Sequence, residues 1–371
     1  MKHNPGLRPQ IPAPSALCAP AMDSFRILLE WKATVYFMVA RTPLALAFVC
    51  LALAQSGPSS KPIKVQVNEV IVPVTVTDDK GRFVSNLEAK DFRIFDEGKE
   101  QRIEFFSRDR NQPVVVGFLI DLSNNARIHW KNYQDAATEL VLNLLPGDKK
   151  FSGYLISYGN EAELQVNTTT ESDKLVERIR KMKPGGGSAL YDAIYMACMH
   201  RQLVEGEPYD PRRVLIIIGD GHDNASKKTL NEVIEIAQRN LVTIYGMSTV
   251  SFGFTSEGDE NLQRLASETG GRVEYPLNNL YTDVDGYLSH PSDDGNYALT
   301  VGVGAYASEI SSGIFHAIAG IAGEVTTQYI LRYVPDTGPG NPKQFRKISI
   351  LVDGLPTVRI RFRKGYYPFA P

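Results

Sequence analysis

Val114 to Asn125 reads VVVGFLIDLSNN, an apolar run long enough for a buried parallel strand that stops abruptly at Asp121. A second such run, Val214 to Asp223 (VLIIIGDGHD), stops at Asp220. Open α/β sheets gather their ligands at the carboxyl ends of strands. The two runs therefore constrain both the fold and the place where chemistry belongs. Ser123 and Asn125 follow Asp121 at alternate positions, so one loop carries a carboxylate and two neutral oxygens, with no thiolate or imidazole among them. That donor set suits a hard cation. An ordinary strand-to-helix turn, with Ser123 or Asn125 capping the next helix, accounts for the same residues.

A third segment, Pro184 to Ile194 (PGGGSALYDAI), uses three glycines to deliver Ser188 to a helical pattern of Leu190, Ile194 and Ala197. Glycine lets backbone approach a bound group closely, and a helix start presents N–H groups to an anion. A phosphate loop is the rival here, although the Lys-Ser/Thr pair of a P-loop is missing.

Strand and helix patterns alternate around these segments. Strands are expected at Val114–Ile120, Lys150–Ser157, Ala162–Val166, Val214–Ile218, Val242–Ser248 and Arg272–Tyr275. Helices are expected at Trp130–Leu144, Asp173–Lys181, Leu190–Leu203, Leu230–Arg239, Glu260–Thr269 and Ile314–Thr326. The alternation predicts a doubly wound, mostly parallel sheet with helices on both faces. Ala162–Val166 follows its neighbour after a short turn and reads as an antiparallel edge. Pro276 to Gly313 is rich in Asp, Asn, Gly, Ser and Tyr and reads as a long loop insertion. Before the alternation, Val65, Val67 and Val70 to Val76 show period-two runs, and Phe92, Ile94 and Ile103–Phe106 continue them. After it come Tyr329–Tyr333, Lys347–Val352 and Val358–Phe362. Each group has too few strands for a stable sheet of its own. The strands of 63–110 and 329–371 are therefore expected to pair into one small β-sandwich, with the α/β part inserted between them.

With these motifs in place, the chain resembles a von Willebrand factor type A domain over roughly Pro113 to Gln328, domain bounds 113–328. That family's metal-ion-dependent adhesion site reads Asp-x-Ser-x-Ser on a first loop, a threonine on a second and an aspartate on a third. Position by position, the resemblance implies metal ligands Asp121, Ser123, Asn125, Ser188 and Asp220. Asn125 stands where the family has serine, and Ser188 where it has threonine. Asp223 lies close to the last ligand, where it is a candidate for orienting a ligand or a bound water, and His222 beside it reads either as an acid/base or ligand candidate or as a solvent-facing loop histidine. The flanks, VIVPVTVTDDKGRFVSNLEAKDFRIFDEGKEQRIEFF and FRKISILVDGLPTVRIRFRKGYY, resemble those of a bacterial "VWFA-related" group with a strand-rich leader and an Arg-Lys-Gly-Tyr ending. The resemblance implies a Mg²⁺ or Mn²⁺ ion with one open position, completed by an acidic side chain of a partner protein.

Other chemistry finds less support. A haloacid-dehalogenase-type phosphatase wants a second aspartate where this chain has Ser123, and no Gly-x-Ser-x-Gly elbow is present. A metal-dependent hydrolase built on the same strand-end aspartates, and a structural envelope module with an empty site, remain the alternatives to a binding module. Cys198 falls on the apolar face of a predicted helix and reads as core. A net charge of −2 gives no basic footprint for nucleic acid.

Residues 1–54 are expected to contain an export signal. Leu44–Ala54 (LALAFVCLALA) is a short apolar run with Arg41 upstream and a small-residue cleavage site before Gln55. It falls short of the roughly 20 residues a membrane span needs. Its distance from Met1 points to Met38 as the true start. Cleavage would leave Cys198 as the lone cysteine, no membrane span and a polar linker at 55–62, placing the protein in the periplasm or outside the cell.

Overall fold

The computed structural model describes residues 69–368, apart from 109–112, 128–129, 205–210, 251–255, 278–302, 337, 339 and 356, and gives the backbone alone for 303–310. The expected export signal, the 55–62 linker and the strand positions Val65 and Val67 lie outside the described residues.

A six-stranded sheet forms the centre. Its strands are β5 (Val114–Asp121), β6 (Phe151–Tyr158), β7 (Ala162–Thr169), β8 (Arg212–Gly219), β9 (Val242–Ser248) and β10 (Val273–Glu274), in the order β10-β9-β8-β5-β6-β7. All neighbours are parallel except β7, which pairs antiparallel with β6 at the edge. The expectation for that edge holds. All eight residues of β5 are buried, and each large apolar side chain so enclosed contributes roughly 1.5–3 kcal/mol relative to exposure. Alternate residues face opposite sides, as a strand's period of two requires. Val116, Phe118 and Ile120 join the core formed with α1 (Trp130–Leu144), α2 (Ser172–Lys181) and α6 (Val303–Thr327). Val115 and Leu119 join the core formed with α3 (Leu190–Met199), α4 (Leu230–Arg239) and α5 (Glu257–Thr269). The fold is thus the doubly wound α/β arrangement read from the sequence.

Three helix boundaries depart from expectation. Helix α3 ends at Met199 rather than Leu203, because Thr168 Oγ1 lies 2.9 Å from His200 Nε2 and donates to the Gln202 carbonyl at 2.8 Å, drawing the chain off the helix axis towards β7. Helix α5 starts at Glu257, since Ser256 and Asp259 form a reciprocal cap that was present in the sequence as S-x-x-D. Helix α6 starts at Val303, inside the stretch expected to be loop. Its Ile314, Ala317, Ile318, Ile321 and Val325 pack into the core, and this burial outweighs the weak helix preference of the glycines and serines before them. The rest of the expected 276–313 loop lies largely outside the described residues. Among the described residues, no helix is long and apolar enough to cross a membrane.

Both ends of the chain build the flanking sheets. The amino-terminal strands are β1 (Val70–Thr77), β2 (Phe92–Asp96), β3 (Lys99–Gln101) and β4 (Phe105–Ser107). The carboxyl-terminal ones are β11 (Tyr329–Tyr333), β12 (Arg346–Val352), β13 (Arg359–Phe362) and β14 (Gly365–Tyr366). They interleave as β13-β1-β11-β4 and β14-β12-β2-β3. One core joins the two sheets, with Val72, Val74 and Tyr333 from the first and Ile94, Ile348 and Ile350 from the second. The sandwich expected from the two strand-poor ends is present.

Candidate functional site

Asp121 is the last residue of β5 and is 2% exposed. Its Oδ1 accepts the Ser123 N–H at 2.7 Å, which turns the chain at once after the strand. Its Oδ2 is enclosed without a hydrogen-bond partner, and so is Ser123 Oγ. An enclosed oxygen left unpaired costs about 1–3 kcal/mol. Two of them, two residues apart on one loop, mark a place where a further electropositive group belongs. Burial pushes the Asp121 carboxyl up to about 6; the Ser123 N–H pulls against that, repulsion from Asp220 adds to it, and the nearby Ser123 hydroxyl and Asp220 N–H lower it.

Asp220 follows β8, and its Oδ1 accepts the His222 N–H at 3.0 Å. Its Oδ2 accepts from Asn125 Nδ2 at 2.8 Å. A carboxylate only accepts, so the Asn125 amide must turn its nitrogen towards it. Asn125 therefore stands in the cluster with its donor on Asp220, in the position of a neutralising group. His222 Nδ1 is 3.3 Å from the same oxygen but makes no hydrogen bond, and its ring is 42% exposed. It borders the oxygen set without completing it.

Ser188 arrives from the glycine turn and is 2% exposed. Its Oγ donates to the His222 carbonyl at 2.7 Å, which leaves the hydroxyl lone pairs free for a cation. The glycines are held closely. Gly186 has φ +111°, and a Cβ on Gly187 would lie 2.9 Å from Asn224 Oδ1. Three asparagines catch three successive N–H groups of this turn: Asn124 that of Gly186 at 3.3 Å, Asn160 that of Gly187 at 2.6 Å and Asn224 that of Ser188 at 2.8 Å. Gly185 N–H goes to the Leu122 carbonyl. A phosphate loop needs those N–H groups for its ligand. Here they are taken, so the glycines serve to seat Ser188.

Asp223 is spent on the same task. Its Oδ2 accepts from the Tyr191 N–H at 2.8 Å and from Ser226 Oγ at 2.6 Å, tying the loop after β8 to the first turn of α3. It braces the helix that Ser188 introduces. Tyr158 is a participant the sequence reading missed. It pairs in register with Asp121, is 1% exposed, and its hydroxyl has no partner. Burial and the neighbouring Asp121, Asp220 and Asp223 hold that phenol protonated far above its ordinary range. Gly219 makes room for it: a Cβ there would lie 2.2 Å from the Tyr158 hydroxyl and 2.9 Å from Asp121 Cβ.

The five expected ligand positions thus lie together beyond the carboxyl ends of β5 and β8. Among the described residues, no group of three His, Cys, Asp or Glu side chains is placed to hold a metal. A site here relies on two carboxylates and hydroxyl oxygens, the donor set of a hard divalent cation. Cavity size does not single out this edge. A cavity of about 610 Å³ lies elsewhere, between α5, β10 and β13. The Asp121 cluster is distinguished by its unpaired buried oxygens, which cavity volume does not register.

Residues 116–283 match the family model described as the von Willebrand factor type A domain. The central sheet and its helices have that family's Rossmann-like α/β fold, and its members are commonly metal-dependent protein-binding modules. Curated proteins give no match. Among solved structures, the chain is similar to BatB from Bacteroides thetaiotaomicron at 16% identity, covering 53% of this chain and 99% of that one with a TM-score of 0.36. It is also similar to an aerotolerance-related membrane protein from Bacteroides fragilis at 16% identity, covering 54% and 99% with a TM-score of 0.35. A third is proximal thread matrix protein 1 from the mussel byssus with a zinc-occupied MIDAS motif, at 15% identity, covering 46% and 43% with a TM-score of 0.37.

Proposed function

We propose that this chain is an exported protein-binding module that recognises an acidic residue of a partner through a divalent cation held by Asp121, Ser123, Asn125, Ser188 and Asp220. The observation that carries the proposal is the pair of enclosed, unpartnered oxygens, Asp121 Oδ2 and Ser123 Oγ, beside a second carboxylate. A bound Mg²⁺ or Mn²⁺ would supply a Lewis-acidic position open to an outside carboxylate. Asp121 and Asp220 contribute the protein's two negative charges, which leave such an ion with affinity for a third. Ser123 and Ser188 contribute neutral oxygens, and Ser188 is kept in place by its bond to the His222 carbonyl. Export is the reading that Leu44–Ala54 supports, with the periplasm or the exterior as destination.

The test is calorimetry with Mg²⁺ and Mn²⁺ at millimolar concentration, together with capture from an envelope extract with and without chelator. Asp121→Ala is expected to abolish ion binding while leaving the fold intact. Equal ion binding by wild type and Asp121→Ala, or capture that persists in chelator, overturns the reading. One observation favours a second reading, a structural envelope module: the Asn125 amide already satisfies Asp220 Oδ2 without any ion. That reading expects no heat from either metal.

A further inference from the structure

Arg363 follows β13 and is 3% exposed, yet among the described residues no carboxylate meets it and its Nε has no hydrogen-bond partner. Its position is fixed by backbone. Gly270, at φ +92° after α5, lies so close that a Cβ there would be 2.6 Å from the Arg363 nitrogen. Other arginines around the same seam are paired: Arg346 with Asp96, Arg332 with Glu69, and both Arg272 and Arg361 with Glu324. Arg363 lacks such a carboxylate among the described residues.

It also lines a small cavity of about 40 Å³, together with Arg212 and Arg213 at the start of β8, Asn240 before β9, and Ile71 and Pro73 of β1. Arg212 is tethered by neutral groups, the Gln328 side chain at 2.9 Å and the Val325 carbonyl, and its enclosed Nε is likewise unpartnered. Arg213 donates to the His200 carbonyl at 3.3 Å. No acidic side chain lines this cavity. Burial pushes the Arg363 guanidinium down to about 10 and lowers that of Arg212, the response of cations enclosed without a counter-charge. Buried charges are ordinarily paired or bound to an ion. A space of this size admits one small ion.

We propose that this cavity is an anion site in which Arg363, with Arg212 and Arg213, holds one small inorganic anion at the seam between the central sheet and the sandwich. It is separate from the Asp121 cluster. Arg212 opens β8 and Asp220 follows its last residue, a span of roughly 25 Å at about 3.3 Å per residue. The anion joins the strand that opens the sandwich, the strand that closes it and the base of β8, so its consequence is stability of the joined molecule. Halide and oxyanion share the chemistry, and the experiment distinguishes them.

Thermal unfolding of the full chain is measured at equal ionic strength in sodium chloride, sodium phosphate and sodium gluconate, whose anion is too large for the cavity. The midpoint is expected to rise by several degrees in chloride or phosphate over gluconate, and Arg363→Gln to remove that difference. Because Arg363→Gln can fail to fold, wild-type crystals grown with bromide or with selenate provide a direct reading. An anomalous peak within hydrogen-bond reach of Arg363 supports the site, bromide marking a halide and selenate an oxyanion. Equal midpoints in all three salts, an undiminished anion effect in Arg363→Gln, or no peak from either ion overturns it.

Discussion

Asn125 is the residue on which the candidate metal site turns. Its amide nitrogen occupies Asp220 Oδ2, so ligation by that oxygen must first displace a hydrogen bond to a charged group, worth about 1.5–3 kcal/mol. Asn125→Ser removes that amide donor from Asp220 and keeps a neutral oxygen at the position. It is expected to tighten Mg²⁺ or Mn²⁺ binding by about ten-fold, read by calorimetry, the equivalent of ~1.4 kcal/mol. Asp121 sets the pH dependence. Its folded carboxyl is raised from 3.8 to about 6, so in metal-free protein it contributes stability that is complete below its unfolded value and is lost as pH rises through 6. Proton and cation compete for the same oxygen. Ion affinity should therefore fall about ten-fold between pH 7 and pH 5, measured by the same titration at the two values. The type and spacing of Asp121, Ser123, Ser188 and Asp220 were readable in the chain, because they follow strand ends and a glycine turn. The direction of the Asn125 amide was not. It depends on a carboxylate 95 residues away.

At the scale of the element, the turn from Gly185 to Ser188 shows how a loop can be rigid without regular structure. Three of its N–H groups are answered by side chains from the loops after β5, β6 and β8. Asn160→Ala releases the Gly187 N–H and should lower stability by about 1 kcal/mol, seen as a drop of a few degrees in the unfolding midpoint. It should also weaken ion binding, since Ser188 follows directly. The central strands and most helices were legible, because buried runs and 3.6-residue periodicity are local signals. The asparagine braces were invisible, as each joins residues 27 to 62 positions apart. The start of α6 was missed for a related reason. Its helical state rests on packing against α1 and the sheet, whereas its composition reads as loop.

At the scale of the molecule, the sandwich has a polar pin. Asp96 is 1% exposed and accepts from the Tyr333 hydroxyl at 3.0 Å, the Tyr366 hydroxyl at 2.9 Å and Arg346 Nε at 2.9 Å. One amino-terminal carboxylate thereby holds three carboxyl-terminal side chains. Asp96→Ala leaves the Arg346 charge without its counter-ion and should cost about 3–5 kcal/mol. Denaturant unfolding measures that loss, and Asp96→Asn, which keeps an acceptor, should lose less. The interleaving of strands was foreseeable from their number, two groups each too small to stand alone; the pin was not, because nothing near Asp96 in sequence announces its partners. The pairing of Val70 with Tyr333 has a further consequence in time. A ribosome adds about 5–20 residues each second, so β1 waits roughly 13–50 s for the strand beside it to be made. During that interval its edge lies open to other strands, while the central sheet, complete by Glu274, is free to fold. Closure of the sandwich waits on strands made at the end of the chain.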